Sequence, residues 1–308
     1  VQWPQYWLNG EVSDCVSTAD RGLQYGDGFF TTVLVKEGRL LNLAQHQWRL
    51  RHSAERLGFQ QINGEQVLQQ AQRWIEATPQ AGDLSLAVLK VIVTRGAGGR
   101  GYEPPLTENP NVIFQWLPHP EFKPERALKS KQDWEFWQNS AEISAGVLQT
   151  RWGMQPLLAG LKHLNRLENV LARQELAQSH TGWFEGVMLD QNGNVISGTQ
   201  SNIILKLEGQ WTTPRLDNCG VAGTTLRGLG ETVEISEETI TLERLHQAES
   251  VVFCNAVRGV MSVSELDFSV AEGIYLEEKM AMRHYDLKPA ETLRQQWQSY
   301  LEQEQATL

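Results

Sequence analysis

GLKHLNRLENVLARQEL, from Gly160 to Leu176, is the stretch on which the reading of the chain turns. Asn165, followed three residues on by Glu168, predicts an N-cap with its capping-box partner, and Leu164, Leu167 and Leu171 then recur at helical spacing. A helix is therefore expected here, with Lys162 just before its start. A lysine becomes an imine-forming nucleophile and a proton shuttle when burial and neighbouring cations lower its pKa. His163 and Arg166 are the candidate cations. On the local pattern alone a lysine in an acidic chain is more often a solvated surface charge, so the rest of the chain has to decide.

With 308 residues, 41% hydrophobic and 21% charged, the chain can bury a sizeable core and is long enough for two domains. A formal charge of -10 without a basic run or basic helix face argues against nucleic-acid and anionic-membrane partners. An anionic ligand must then be met by locally placed arginines. Cys15, Cys219 and Cys254 are widely spaced and contain no C-x-x-C pair, so neither a disulfide framework nor a metal site is indicated. With no charged-then-apolar leader and no apolar run long enough to span a bilayer, a soluble, cytoplasmic protein is expected.

In chain order, Tyr6 to Gly10 predicts a short strand and turn, and the glycines of Leu23-Gln24-Tyr25-Gly26-Asp27-Gly28 deliver a strand over Phe29 to Val35. Lys36 to Arg39 is its hairpin turn and Leu40 to Leu43 its partner. Helices are expected from Leu43 to Gly58, carrying Arg49, Arg51 and Arg56, and from Gly64 to Ala77; Leu84 to Thr94 reads as a buried strand. The loop Arg95-Gly96-Ala97-Gly98-Gly99-Arg100-Gly101-Tyr102 is neither a Walker A nor a dinucleotide fingerprint, because prolines follow it. Its glycines let backbone crowd a ligand while the two guanidinium groups clamp carboxylates; the competing reading is a flexible loop with solvated arginines. After a strand from Val112 to Trp116, Leu117-Pro118-His119-Pro120 and Pro124 read as a linker, dividing the chain into 1–120 and 121–308. Strands follow at Ala141 to Leu148, Glu185 to Leu189, Ile203 to Leu207 and Ser250 to Phe253, with a turn at Asp190 to Asn194. Thr212-Thr213-Pro214 opens a loop to Gly223-Thr224-Thr225, where a short helix begins; hydroxyls and N–H groups at such a start suit a phosphate. The segment from Pro289 to Gln303 reads as an amphipathic helical tail, beyond about residue 270.

The lysine segment, the signature DRGLQYGDGFFTT, the loop RGAGGRGY and the Ser197-Gly198-Thr199-Gln200-Ser201-Asn202 run together resemble the fold-type IV pyridoxal-phosphate enzymes, over roughly residues 6–268. That family includes branched-chain and D-amino-acid aminotransferases and aminodeoxychorismate lyase, and the wording of the lysine segment, the glycine loop and Asn255-Ala256 is most similar to the lyase. The resemblance implies an α/β (α+β) fold with a smaller N-terminal and a larger C-terminal domain, the cofactor pyridoxal 5'-phosphate between them, and a homodimer whose active site is finished by the neighbouring subunit. It implies conversion of 4-amino-4-deoxychorismate, which has two carboxylates, to 4-aminobenzoate and pyruvate in folate biosynthesis. The alternatives are a D-amino-acid or branched-chain aminotransferase and a non-catalytic cofactor-binding protein.

By the same resemblance Lys162 is catalytic and holds the cofactor. Arg49 matches the phosphate-binding arginine, Thr224 and Thr225 a phosphate turn in which Arg227 sits one residue late, and Asn255 and Ala256 the other phosphate-flanking turn. Tyr25, Arg100, Tyr102, Arg166 and Arg258 are implied substrate-binding residues. Ser197 stands where most of the family has a glutamate that pairs with the pyridine nitrogen. A serine hydroxyl donates only a hydrogen bond there, unless another acid such as Glu185 takes the place.

Overall fold

The computed structural model describes residues 5–77, 86–119, 142–179, 182–269 and 282–307. The chain divides into two compact units, the first of residues 1–134, 161–165 and 304–308, the second of residues 135–160 and 166–303.

In the first unit, alternating apolar residues make strands and period-3.6 residues make helices. Its elements are β1 (Gln5–Leu8), β2 (Glu11–Val12), α1 (Arg21–Tyr25), β3 (Gly28–Lys36), β4 (Arg39–Leu40), α2 (Leu43–Arg56), α3 (Gly64–Ala77), β5 (Leu86–Thr94) and β6 (Asn111–Pro118). The strands form an antiparallel sheet of order β2-β1-β6-β5-β3-β4. One face buries Phe29, Val33, Leu89, Val91, Phe114 and Trp116 against Leu50 and Ala54 of α2 and Leu68, Ala71 and Ile75 of α3. By the two-residue period of a strand, Phe30, Thr32, Lys90 and Ile92 lie on the other face.

The second unit contains β7 (Glu142–Trp152), α4 (Leu167–Gln178), β8 (Glu185–Asp190), β9 (Val195–Gly198), β10 (Asn202–Leu207), β11 (Gln210–Pro214), α5 (Thr224–Leu229), β12 (Ile235–Glu238), α6 (Leu242–Gln247), β13 (Ser250–Asn255), β14 (Gly259–Asp267) and β15 (Met282–His284). Its last helix, α7 (Lys288–Thr307), belongs to this unit as far as Gln303. The mixed sheet runs β12-β11-β10-β13-β14-β7-β8-β9, with β15 on β14. β8 is buried along its whole length, parallel to β7 and antiparallel to β9 across the expected Asp190–Asn194 turn. α7 is the helix expected from the tail; it buries Leu293 and Trp297, and Arg294 donates to Ser262 at 2.5 Å. Residues 270–281 of the tail lie outside the described residues.

The mixed α/β class matches the expectation, as do α3 and α5; three local expectations change. The partner of β3 is two residues long, because Asn42 adopts a left-handed φ of 56° and turns the chain into α2 at Leu43. Leu117 and Pro118 are not linker but the end of β6, paired with Val88 and Ala87; a proline is tolerated there because the ladder ends with it. Thr212, Thr213 and Pro214 belong to strand β11, which pairs β10 and β12. Leu84 and Ser85 of the strand expected to run to Thr94, Pro120 and Pro124 of the linker, and Ala141 lie outside the described residues.

Candidate active site

Lys162 is held by β3. Phe30 N–H donates to the Lys162 carbonyl at 2.9 Å and Leu164 N–H to the Gly28 carbonyl at 3.0 Å, with Phe29 and His163 forming a bridge between them. β4 is too short to cover this end of β3, so the lysine segment lies along the open edge and joins it through this single bridge. The Lys162 ammonium lies 4.7 Å from the centroid of the Phe30 ring. The expected capping box does not form. The N-cap of α4 is Arg166, without a side-chain cap; Asn165 instead donates to the Gly26 carbonyl at 3.1 Å, and Glu168 accepts from Gly153 N–H at 2.9 Å. The leucine repeat also fails as a buried stripe: Leu167 is 76% exposed, and α4 buries Ala172 and Leu176 instead.

Of the three arginines of α2, only Arg49 is buried; Arg51 and Arg56 are the solvated pair. Arg49 donates to the Thr31 hydroxyl at 3.4 Å, and that hydroxyl lies 2.7 Å from His46 Nδ1. Nε2 is buried without a hydrogen-bond partner. Burial, reinforced by the Arg49 and Lys162 charges, holds the His46 pKa well below the usual imidazole range, so the ring is neutral at pH 7. His46 was not singled out in the sequence; its place three residues before Arg49, on one helix face, was the available signal.

The glycine loop separates its two arginines. Arg95 is buried, bonded to Asp27, to Glu108 at 2.5 Å and to the Leu57 carbonyl at 2.7 Å, and stacked on Phe59. It braces the loop and does not serve as half of a carboxylate clamp. Arg100 is exposed, as is Tyr102 at 87%, with Tyr25 packed edge-on to Tyr102 at 5.5 Å. The organiser of the loop is Arg21, whose guanidinium donates to the carbonyls of Gly101, Tyr102 and Glu103 at 2.9–3.1 Å and pairs with Asp27 at 2.8 Å. A Cβ at Gly99 would stand 2.1 Å from the Glu103 carbonyl, and φ there is +80°, so only glycine closes this turn. Arg21 went unread because its partners lie far along the chain.

In the second unit, Ser197 accepts the Trp152 indole N–H at 3.0 Å and donates to the Gly198 carbonyl at 2.8 Å. Its proton is already directed at backbone, so the outward donor expected of it requires that bond to break. Glu185 offers no substitute acid. Its carboxylate accepts from the N–H groups of Gly186 and Thr199 at 3.0 and 2.9 Å and from the hydroxyls of Thr199 and Ser201, shaping the 198–201 turn. Asn169 on α4 fastens the same turn through the Thr199 carbonyl at 2.8 Å.

Asn202 ends that turn and begins the next feature. It donates to the Val221 carbonyl at 2.9 Å, and a Cβ at Gly223 would stand 1.8 Å from its Oδ1. Gly223 is the N-cap of α5 and supplies no side-chain cap. The hydroxyls of Thr224 and Thr225 that follow are buried without any partner, each residue 1% exposed. Two orphaned hydroxyls beside the free N–H groups of a helix start fit a phosphate group. Arg227 lies in the last turn of α5. Asn255 uses its side-chain oxygen locally, accepting from Val257 and Arg258 N–H at 3.0 and 2.8 Å, with Ala256 between them. Arg258 stacks on Phe184 at 5.1 Å; Arg166 lies 5.8 Å from the Trp152 ring, and burial lowers its pKa to about 10.

The chain is similar over most of its length to several known proteins. Aminodeoxychorismate lyase of Vibrio harveyi is 33% identical over 84% of this chain and 90% of its own. A putative branched-chain-amino-acid aminotransferase of Methanocaldococcus jannaschii is 27% identical over 85% and 87%. The crystal structure of 4-amino-4-deoxychorismate lyase from Pseudomonas aeruginosa superposes with a TM-score of 0.77 at 33% identity, covering 96% of this chain and 98% of that one. With residues 28–266 matching its family model, the chain belongs to the amino-transferase class IV family.

Proposed function

We propose that the protein is a 4-amino-4-deoxychorismate lyase that uses pyridoxal 5'-phosphate to release 4-aminobenzoate and pyruvate, a step towards folate. The observation that carries this reading is the likeness, at 33% identity and over most of both chains, to lyases of Vibrio harveyi and Pseudomonas aeruginosa. The orphaned Thr224 and Thr225 hydroxyls supply independent support, because a phosphate-bearing cofactor is a ligand that would answer them.

Thr224, Thr225 and the first N–H groups of α5 receive the phosphate, with Arg49 as the cation for it and Asn255-Ala256 as the second flanking turn. Lys162 would hold the cofactor covalently. When bound, the cofactor supplies a ring that draws electrons from the amine-bearing carbon. Lys162, freed as an amine, removes the proton from substrate C4; the C3–oxygen bond then breaks, the enolpyruvyl group leaves to become pyruvate, and the ring becomes aromatic. By the family resemblance Ser197 would offer the bound cofactor a hydrogen-bonding group and no carboxylate, which suits an elimination that expels its leaving group as the proton departs. Tyr25, Arg100, Tyr102, Arg166 and Arg258 meet the substrate. A homodimer in the cytoplasm completes the reading, supported by the exposed Leu167, Val170 and Leu171 along α4 and by the free cysteines.

The test offers purified protein aminodeoxychorismate, then amino acid with 2-oxoglutarate. Formation of 4-aminobenzoate is expected; glutamate alone would make it an aminotransferase, and neither product a cofactor-binding protein without this chemistry. Lys162→Ala is expected to abolish the visible cofactor band and lower turnover by about 1000-fold or more. Borohydride trapping that tags a different lysine would overturn the assignment.

A further inference from the structure

The side of α2 that packs on the sheet is more polar than apolar. Gln45, His46, Arg49 and Ser53 are buried along it beside Leu50 and Ala54. On β3, the row Phe29, Thr31 and Val33 sets a hydroxyl between two apolar core side chains. Thr31 and His46 are both 0% exposed. The Thr31 hydroxyl stands between two of the polar groups, 2.7 Å from His46 Nδ1 and 3.4 Å from the Arg49 guanidinium that donates to it. With one proton and two lone pairs, a hydroxyl serves both neighbours in either tautomer of the ring.

Packing alone does not account for the imidazole. Its Nε2 is buried without a hydrogen-bond partner among the described residues. Burial and the charges of Arg49 and Lys162 together keep the ring neutral. A leucine beside Leu50 would fill similar space without desolvating a nitrogen. What leucine would not supply is Nδ1, on the hydroxyl that the guanidinium also meets. The neutrality of this relay has a chemical consequence. A carboxylate in place of the imidazole would draw the guanidinium into an ion pair and compete with an anionic ligand, whereas a hydroxyl and a neutral ring restrain it without offering a countercharge. Restraint before binding also lowers the entropy lost when a long side chain meets its ligand.

We propose that His46 is a positioning residue that, through the Thr31 hydroxyl, fixes the Arg49 guanidinium for the cofactor phosphate. This deepens the reading of Arg49 as the phosphate cation and rests on it. His46 and Arg49 lie three residues apart on α2 and Thr31 faces both from β3, so the relay lies wholly within the first unit.

The test titrates apoprotein with pyridoxal 5'-phosphate and with pyridoxal, which lacks the phosphate, and reads both by absorbance. His46→Leu and Thr31→Val are each expected to weaken pyridoxal 5'-phosphate by roughly 5- to 30-fold while moving pyridoxal by less than about twofold. His46→Asn, whose amide can stand at the place of Nδ1, should recover most of the loss, because Nε2 has no bond to lose. Added to Arg49→Gln, His46→Leu should weaken the phosphate ligand no further than Arg49→Gln does alone. If melting curves show that His46→Leu does not fold, Thr31→Val and Thr31→Ser are read in its place, valine for the loss and serine for the recovery. Equal weakening of both ligands, no recovery in either conservative variant, or wild-type affinity for pyridoxal 5'-phosphate in a protein lacking the relay would overturn the proposal while Arg49→Gln still shows the phosphate-specific loss. Arg49→Gln that binds pyridoxal 5'-phosphate as tightly as wild type would instead sink the phosphate reading of Arg49, and the relay with it.

Discussion

Two turns of the second unit treat their polar groups in opposite ways. Around residues 198–201, the Glu185 carboxylate is buried and every bond it makes goes to its own turn, through Thr199, Ser201 and neighbouring backbone. At residues 223–225, two equally buried hydroxyls have no partner at all. A buried polar group left unmet costs about 1–3 kcal/mol, a cost that in the proposed function the cofactor phosphate repays for these two. The first turn is thus architecture and the second, in the proposed function, a receptor, though both are short and polar and contain glycine and threonine.

The strongest way to break this contrast is to remove the architectural acid. Glu185→Ala strands several buried donors at once and is expected to lower the unfolding free energy by about 3 kcal/mol or more, read as a fall in melting temperature of the cofactor-free protein. A melting temperature unchanged in that variant would mean the 198–201 turn does not depend on its carboxylate.

The receptor turn should behave in the reverse sense. Thr224→Val with Thr225→Val keeps the shape and deletes only the orphaned hydroxyls, so the cofactor-free protein should keep or slightly gain stability. Cofactor affinity should fall by about tenfold or more for each hydroxyl that meets the phosphate, since hydrogen bonds to charged groups are worth about 1.5–3 kcal/mol. Titration of apoprotein with pyridoxal 5'-phosphate measures it; undiminished affinity would reduce the turn to a packing defect.

Ser197 sharpens the comparison with the smallest effect. It borders the architectural turn and its hydroxyl is spent on Trp152 and Gly198, yet the family resemblance sets it where a glutamate is expected. Ser197→Glu is expected to shift the ratio of transamination to lyase turnover upward by about severalfold, because a carboxylate would keep the ring nitrogen protonated. Products counted from the same enzyme batch give the ratio, and a ratio that stays level or falls refutes the role.

Much of this anatomy was legible in order along the chain. Gly64–Ala77 reads as a helix because its valine, leucine, alanine and isoleucine recur at helical period, and the structure ends it at the same residues. The glycine loop and the threonine turn before a short helix are likewise written in local residue types, since glycine adopts positive φ at the least cost and hydroxyls favour helix starts. Tertiary structure decided which of several chemically equivalent groups is free. Asn165 and Glu168 form a sound capping box on paper, but Gly26 and Gly153, distant in sequence, compete for them and win. Arg95 and Arg100 flank the same loop, yet Asp27 and Glu108 consume one and leave the other in solvent. Lys90 is one more lysine in the sequence, and only strand register shows it half-buried beside Phe30. Local propensity follows from a residue's own backbone and near neighbours, whereas the availability of a charge or hydroxyl is set by burial and by partners that only folding brings within hydrogen-bonding distance.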